Sequence, residues 1–243
     1  MMNAAFADLG LDWRYLKLPV PPERFAETTR ALPASGYRGA NVTIPHKLAA
    51  HALADQLGEA ARAIGAANTL VFEDGRILAE NTDAGGLLDA LGEPVPSTAL
   101  VLGAGGAGRA AVWALREAGA RVAVWNRTAE RAEALASELG VRQVPRPEAA
   151  ELVVNATSVG LTGAEGRRGG AEMLGLTGIE APAVLVDMVY GAEPTPLTLW
   201  AAARGARVVD GLEILVRQGA RSLELWTGRP APLDVMRAAA ARA

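Results

Sequence analysis

Lys47 and Asp83 are the first candidates for proton chemistry in this sequence. Of its 24 basic residues only Lys17 and Lys47 are lysines. The others are arginine, which stays charged near neutral pH and cannot pass a proton back and forth. A lysine kept against that bias, in Asn41-Val-Thr43-Ile-Pro-His-Lys47, points to proton transfer. Its placement agrees: in the first turn of a predicted helix an ammonium faces the positive end of the helix dipole, a poor site for a purely structural cation. A surface lysine with its stem laid on apolar neighbours is the alternative. Asp83 closes Asn81-Thr82-Asp83 ahead of Gly85-Gly86, where a helix N-cap is the plainer reading. The two roles are compatible, because a carboxylate within reach of Lys47 would orient the amine. His46 and His51 lack partners at metal-ligand spacing and read as structural, so no metal is expected.

A second chemistry is written further along. Ala99-Leu-Val-Leu102 runs into Gly103-Ala104-Gly105-Gly106-Ala107-Gly108, followed by a helical stretch from Arg109 to Ala118 and a strand from Arg121 to Trp125. Strand, glycine turn and helix in this order suit a pyrophosphate: Gly103 turns sharply, Gly105 lets the backbone approach the ligand, and Gly108 permits close helix packing. Dinucleotide binding follows, with a purely structural turn or another nucleotide as alternatives. The second strand ends in Asn126-Arg127-Thr128-Ala-Glu-Arg131. The acidic residue that would grip a ribose 2′-hydroxyl is missing from the strand end, while two guanidiniums are spaced for a 2′-phosphate. NADP is therefore expected over NAD, unless Arg127 and Arg131 are simply solvated.

The elements that must hold these groups show two patterns. Phe25 to Leu32 reads as a helix and Tyr37 to Ile44 as a strand closing at Pro45. A helix from Lys47 to Leu57 follows, with Thr43 as its cap. Asn68 to Phe72 and Arg76 to Glu80 are strands joined through Asp74-Gly75, a hairpin signal. A helix after Asp83 runs to Leu91, and Gly92 to Pro96 is a linker at a domain boundary. From Thr98 strands at 98–102, 121–125, 151–155, 183–188 and 206–209 alternate with helices, which implies a parallel, doubly wound sheet. The Gly-rich span 160–171 reads as a mobile loop. Residues 212–243 are helical with no strand left to cover, and are expected to pack back onto the first domain.

Composition narrows the function class. Half of the 243 residues are apolar and 21% are charged, as in an ordinary globular protein. The longest uncharged window, Pro94 to Gly108, is broken by Pro and Gly and falls short of the roughly 20 residues that span a bilayer. A net charge of −3 with interspersed signs offers nothing to nucleic acid. There is no cysteine, so thiolate chemistry and disulfides are excluded, and a reducing cytoplasm is expected. A small-molecule substrate is the natural partner.

Taken together the motifs resemble the shikimate dehydrogenase family. They are Asn41-Val-Thr43-x-Pro-x-Lys47, Gly65-Ala-x-Asn68-Thr69, Asn81-Thr-Asp83-x-x-Gly86, Gly103 to Gly108, Asn126-Arg-Thr128, Asn155-Ala-Thr-Ser158-x-Gly160, Asp187-x-x-Tyr190, Gly211-Leu, Gln218-Gly219 and Trp226-Thr-Gly228. The resemblance implies an α/β fold with an N-terminal substrate domain, 1–84 completed by C-terminal helices at 212–243, and a Rossmann-type NADP domain at 85–211. It implies reversible hydride transfer between NADPH and the ketone of 3-dehydroshikimate, with Lys47 and Asp83 handling the proton. Thr43, Asn68 and Gln218 would hold ring hydroxyls, and Tyr190 would shape the substrate pocket. Gly103, Ala104, Gly105, Gly106 and Ala107 would cradle the pyrophosphate, and Asn126, Arg127, Thr128 and Arg131 the 2′-phosphate. Met188 and Gly211 would approach the nicotinamide; Glu59 falls at a position the family places near the cofactor, and a solvated helix carboxylate explains it equally well. Family members are monomers or homodimers.

The sequence departs from the family at its start. Met1-Met2-Asn3-Ala-Ala-Phe6 aligns just after the family's first strand and its Ser-x-Ser-Pro segment, whose hydroxyls bind the substrate carboxylate. The expectation is that Met1 is an internal methionine of a longer protein, with a short chain and a compromised site as the alternative, and that the chain as written binds substrate more weakly and has a less stable first domain. A relative acting on quinate and a non-catalytic nucleotide-binding module are the competing readings.

Overall fold

A computed structural model describes residues 1–160, 170–191 and 193–242. By its internal contacts the chain divides into two compact units, Met1–Gly86 with Val216–Ala243, and Leu87–Leu215.

The first unit opens with α1 (Met2–Asp8) and α2 (Phe25–Ala31), followed by β1 (Gly39–Asn41), α3 (Lys47–Leu53), β2 (Gln56–Leu57), α4 (Glu59–Ile64), β3 (Thr69–Glu73) and β4 (Arg76–Glu80). The strands form one sheet in the order β1-β3-β4-β2, with β1 and β3 antiparallel to their neighbours and β2 parallel to β4. The two-residue hairpin at Asp74-Gly75 is as expected: both residues have positive φ, 50° and 74°, which matches the twist of the strands they join. The strand expected over Tyr37 to Ile44 is confined to Gly39–Asn41, and two expectations about α3 also need correction. The helix from Lys47 stops at Leu53 rather than Leu57, because Ala54 turns extended and Asp55 joins the sheet edge. Its N–H donates to Ile77 O and its carboxylate accepts from Ile77 N, both at 2.9 Å. Edge pairing has overridden helical periodicity. Nor is Thr43 the cap of α3. His46 holds the N-cap position without a side-chain bond, and Thr43 contributes its carbonyl to His46 N–H at 2.9 Å.

Helix α5 (Thr82–Leu91) carries the chain into the second unit, which contains β5 (Thr98–Leu102), α6 (Gly106–Glu117), β6 (Arg121–Trp125), α7 (Ala129–Leu139), β7 (Arg142–Gln143), β8 (Leu152–Asn155), α8 (Gly170–Met173), β9 (Val184–Asp187), α9 (Pro196–Ala202) and β10 (Arg207–Val209). All six strands are parallel, in the order β10-β9-β8-β5-β6-β7. Successive side chains on β5 supply opposite faces, Ala99 and Val101 to one core and Leu100 and Leu102 to the other. That is why such strands read as unbroken apolar runs. Of the loop expected over 160–171, residues 161–169 lie outside the described residues, whereas Gly170 and Ala171 begin α8.

Helix α10 (Gly211–Thr227) returns the chain to the first unit, and α11 (Leu233–Ala240) ends it. Met2, Ala5 and Phe6 of α1 share a buried cluster with Val216, Ala220, Leu223 and Met236, so the C-terminal helices do pack back onto the start of the chain. Among the described residues no helix is long and apolar enough to cross a membrane.

Candidate active site

The first unit assembles its polar centre from backbone pairing. Ala67 N–H donates to Lys47 O at 2.9 Å, and Asn68 N–H to Glu80 O at 3.1 Å. The residues just ahead of β3 therefore tie the start of α3 to the end of β4, and α5 begins two residues later. Lys47 Nζ and Asp83 Oδ2 consequently meet at 2.7 Å, with the two side chains only 13% and 7% exposed. Lys47 is not a snorkelling surface lysine. Asp83 is not the helix cap either: it lies inside the first turn, and Asn81 Oδ1 accepts Ala84 N–H at 3.2 Å in the capping role.

Asn68 fixes the second oxygen of that carboxylate. Its two Nδ2 hydrogens are shared among Asp83 Oδ1 at 2.9 Å, Thr82 Oγ1 at 3.0 Å and Gln218 Oε1 at 3.2 Å, and its Oδ1 accepts Thr82 N–H at 2.7 Å. Asn68 is buried, and its amide is committed to protein partners. Gln218 reaches this group because α5 and α10 cross very closely at Gly86, where an added Cβ would lie 2.7 Å from Gln218 N. Thr43 is exposed nearby in sequence.

Behind Asn68 lies a set of hydroxyls that the motifs alone did not assign. Ser222 Oγ meets Thr69 Oγ1 at 2.8 Å and Thr82 Oγ1 at 3.1 Å, and accepts from Asn41 Nδ2 at 2.8 Å. The signal was present in the sequence, since Ser222 stands one helical turn beyond Gln218 and so shares its face. His46 stacks on Phe25 with 4.4 Å between ring centroids, and its Nε2 is 2.9 Å from Val20 O, a structural contact. Glu59 is exposed in the first turn of α4.

In the second unit the glycine turn has the backbone that the sequence demanded. Gly103 has φ 110°, and a Cβ there would lie 2.8 Å from Ala156 O. A Cβ on Gly108 would lie 2.0 Å from Gly103 O, whereas the space around Gly105 is open. Helix α6 starts after Gly105 with no side-chain cap. Its first N–H groups, including those of Gly106 and Ala107, therefore face an uncluttered turn, the arrangement that accepts a phosphate. Asn126 braces this turn: its Oδ1 accepts Ala104 N–H at 3.2 Å and its Nδ2 donates to Thr128 O at 2.9 Å. Arg127 and Arg131 are exposed at the same strand end. These residues fit a dinucleotide with a 2′-phosphate. Met188 N–H donates to Asn155 O at 3.0 Å, and a Cβ on Gly211 would lie 2.5 Å from Val189 O, so both sit at the ends of β8 and β9. Tyr190 belongs to this unit as well and is 52% exposed.

Three family models match: the shikimate dehydrogenase substrate-binding domain over residues 1–70, shikimate/quinate 5-dehydrogenase over 90–161, and the shikimate 5′-dehydrogenase C-terminal domain over 211–241. A shikimate dehydrogenase (NADP(+)) of Anaeromyxobacter dehalogenans is 45% identical over 260 aligned positions, which cover 100% of this chain and 90% of the relative. The chain belongs to the shikimate dehydrogenase family. Within the family, the shikimate 5-dehydrogenase of Thermus thermophilus, solved in complex with NADP(H) and shikimate, superposes with a TM-score of 0.88 at 42% identity, covering 99% of this chain and 92% of that one. The ligand-free 5-ketofructose reductase of Gluconobacter shares the fold at a TM-score of 0.82 and 29% identity, covering 99% and 91%.

Proposed function

We propose that this chain interconverts 3-dehydroshikimate and shikimate with NADP(H). The buried Lys47–Asp83 pair carries the reading, because a close amine and carboxylate among neutral donors form a proton-handling device rather than a surface ion pair. The bound coenzyme supplies or takes up the hydride. Reduction of the ketone leaves charge on its oxygen; the Lys47 ammonium stabilises that charge and gives the proton, while Asp83 holds the amine in place. Asn68 orients Asp83 and, with Gln218 and Thr43, offers polar groups to ring hydroxyls, with Tyr190 shaping the pocket. Residues 1–84 with 212–243 serve the substrate in this reading. Residues 85–211 serve the coenzyme through Gly103 to Ala107, Asn126 to Thr128, Arg131, Met188 and Gly211.

The test is NADPH oxidation on addition of 3-dehydroshikimate, with quinate and NADP⁺ as the substrate-exchange arm. Turnover with 3-dehydroshikimate supports the proposal. Turnover confined to quinate would move the chain to that branch of the family, and coenzyme binding without any turnover would reduce it to a nucleotide-binding homologue.

A further inference from the structure

The ends of β8 and β9 hold a buried polar network that the reaction as proposed does not use. Asn155 and Asp187 are register partners on adjacent strands, and both are 0% exposed. Asn155 Nδ2 donates to Asp187 Oδ1 at 2.8 Å, and its Oδ1 accepts the Thr157 N–H and hydroxyl at 3.1 and 2.7 Å. Asp187 Oδ1 also accepts Val189 N–H at 3.1 Å, and Oδ2 accepts the Thr195 hydroxyl at 2.6 Å. Thr195 Oγ1 in turn accepts Thr198 N–H at the start of α9. Asp187 thus receives three donors, two of which can only donate. Among the described residues no lysine, arginine or histidine pairs with it.

Hydrogen bonding alone does not call for a carboxylate here. An asparagine could accept the same two N–H groups on its carbonyl and place its amide on Thr195, without the cost of burying a charge. Desolvation does push the carboxyl above its ordinary value, against the pull of the three donors. The charge therefore asks for a use of its own, and its position suggests one. The 2′-phosphate side of the coenzyme site lies at β6, beside the glycine turn after β5. The strand order reverses between β5 and β8, so in an open parallel sheet the other half of a dinucleotide lies over β8 and β9. Gly103 packs on Ala156 O and Gly211 on Val189 O, so the network's two loops abut both the glycine turn and the start of α10. The group in that half whose charge changes during reaction is the nicotinamide, cationic when oxidised and neutral when reduced.

We infer that the Asp187 carboxylate is a fixed charge that favours the oxidised coenzyme over the reduced one, a role that rests on the NADP(H) reading above. Acting through space from beneath the strand ends, it leaves proton transfer to Lys47 and Asp83.

The experiment titrates NADP⁺ and NADPH separately into wild type, Asp187→Asn and Thr195→Val, following binding alone. In Asp187→Asn the NADP⁺ dissociation constant should rise roughly three- to tenfold while that for NADPH stays within about twofold. Asp187→Ser, neutral and smaller, should show the same altered ratio and serves if the asparagine variant folds poorly. Thr195→Val removes a donor but keeps the charge, so it should move both forms together and preserve the wild-type ratio. Equal shifts for the two forms in Asp187→Asn, or an altered ratio in Thr195→Val, would overturn the inference by assigning the effect to loop position. Wild type that binds neither form would instead overturn the NADP(H) reading itself.

Discussion

Asp83 and Asp187 are the two buried carboxylates among the described residues, and they are balanced in opposite ways. Asp83 divides its oxygens between an ammonium and an amide, and the Lys47 side chain opposite keeps 13% exposure. Asp187 is sealed at 0%, and every partner it has is a neutral dipole. A carboxylate beside an amine in partial contact with solvent can take part in proton traffic. One surrounded by neutral N–H and O–H donors has no charged partner to exchange a proton with, and acts through the field it projects. The two units place similar hydrogen bonding around a carboxylate paired with an amine in one and a carboxylate met only by neutral donors in the other.

The sharpest way to break that comparison is to remove the amine. Lys47→Ala should lower turnover by roughly 10²–10⁴-fold, the range supplied by a positioned acid or base, while both coenzyme forms bind as in wild type. It also strands a buried carboxylate, at a cost of about 3–5 kcal/mol in the first unit, so thermal unfolding should be recorded on the same sample. A large loss of NADPH binding would show that Lys47 serves the coenzyme, and the contrast with Asp187 would collapse. Asp187→Asn is the converse experiment, with the effect confined to the ratio of coenzyme affinities.

Gly86→Ala tests whether close helix crossing positions the first carboxylate. The new Cβ would sit 2.7 Å from Gln218 N and 2.8 Å from its Cα, both backbone atoms that cannot swing aside. A cost of about 1–3 kcal/mol is expected from overpacking. With Gln218 displaced from Asn68, KM for substrate should rise more than kcat falls. An unchanged KM would mean that Gln218 does not contribute to substrate binding.

Much of this was legible in the sequence where a backbone requirement leaves few choices. The glycine turn, the Asp74-Gly75 hairpin and the alternating strands of the parallel sheet each impose their own residue types, and each is where the pattern put it. Lys47 and Asp83 could be singled out by type, but their meeting depends on Ala67 and Asn68 pairing with two different elements, which no local pattern encodes. Strand β2 was missed for a related reason. Residues 54–57 continue a helical pattern, and only pairing with Leu78 and Ala79 draws them out of it. Asn81 and Asp83 are interchangeable as caps by residue type, so one residue of helical phase decided between them. Ser222 had its helical spacing from Gln218 to recommend it, but its partners Asn41, Thr69 and Thr82 come from three separate segments.

Ser222→Ala sharpens the comparison from the hydroxyl side. Thr69, Thr82 and Asn41 would each lose one partner in a buried setting, for a destabilisation of about 1–2 kcal/mol. Thermal unfolding should register it, and turnover should fall only as far as Asn68 loses its orientation. Full stability would mean that water takes over the vacated position.

The smallest effect expected is the pH dependence of stability contributed by Asp187. Burial raises its folded-state pKa above the unfolded value. Between those two values the folded chain holds more proton than the unfolded chain, so its stability falls as pH climbs through that window. Above the window the cost is complete and no longer changes. Asp187→Asn has no proton to lose, so the difference in Tm between variant and wild type should move in the variant's favour from acidic to neutral pH and then level off. A difference moving the other way would mean that the donors from Asn155, Val189 and Thr195 outweigh burial. Asp187 would then be a carboxylate stabilised by folding, and its charge would need no coenzyme to account for it.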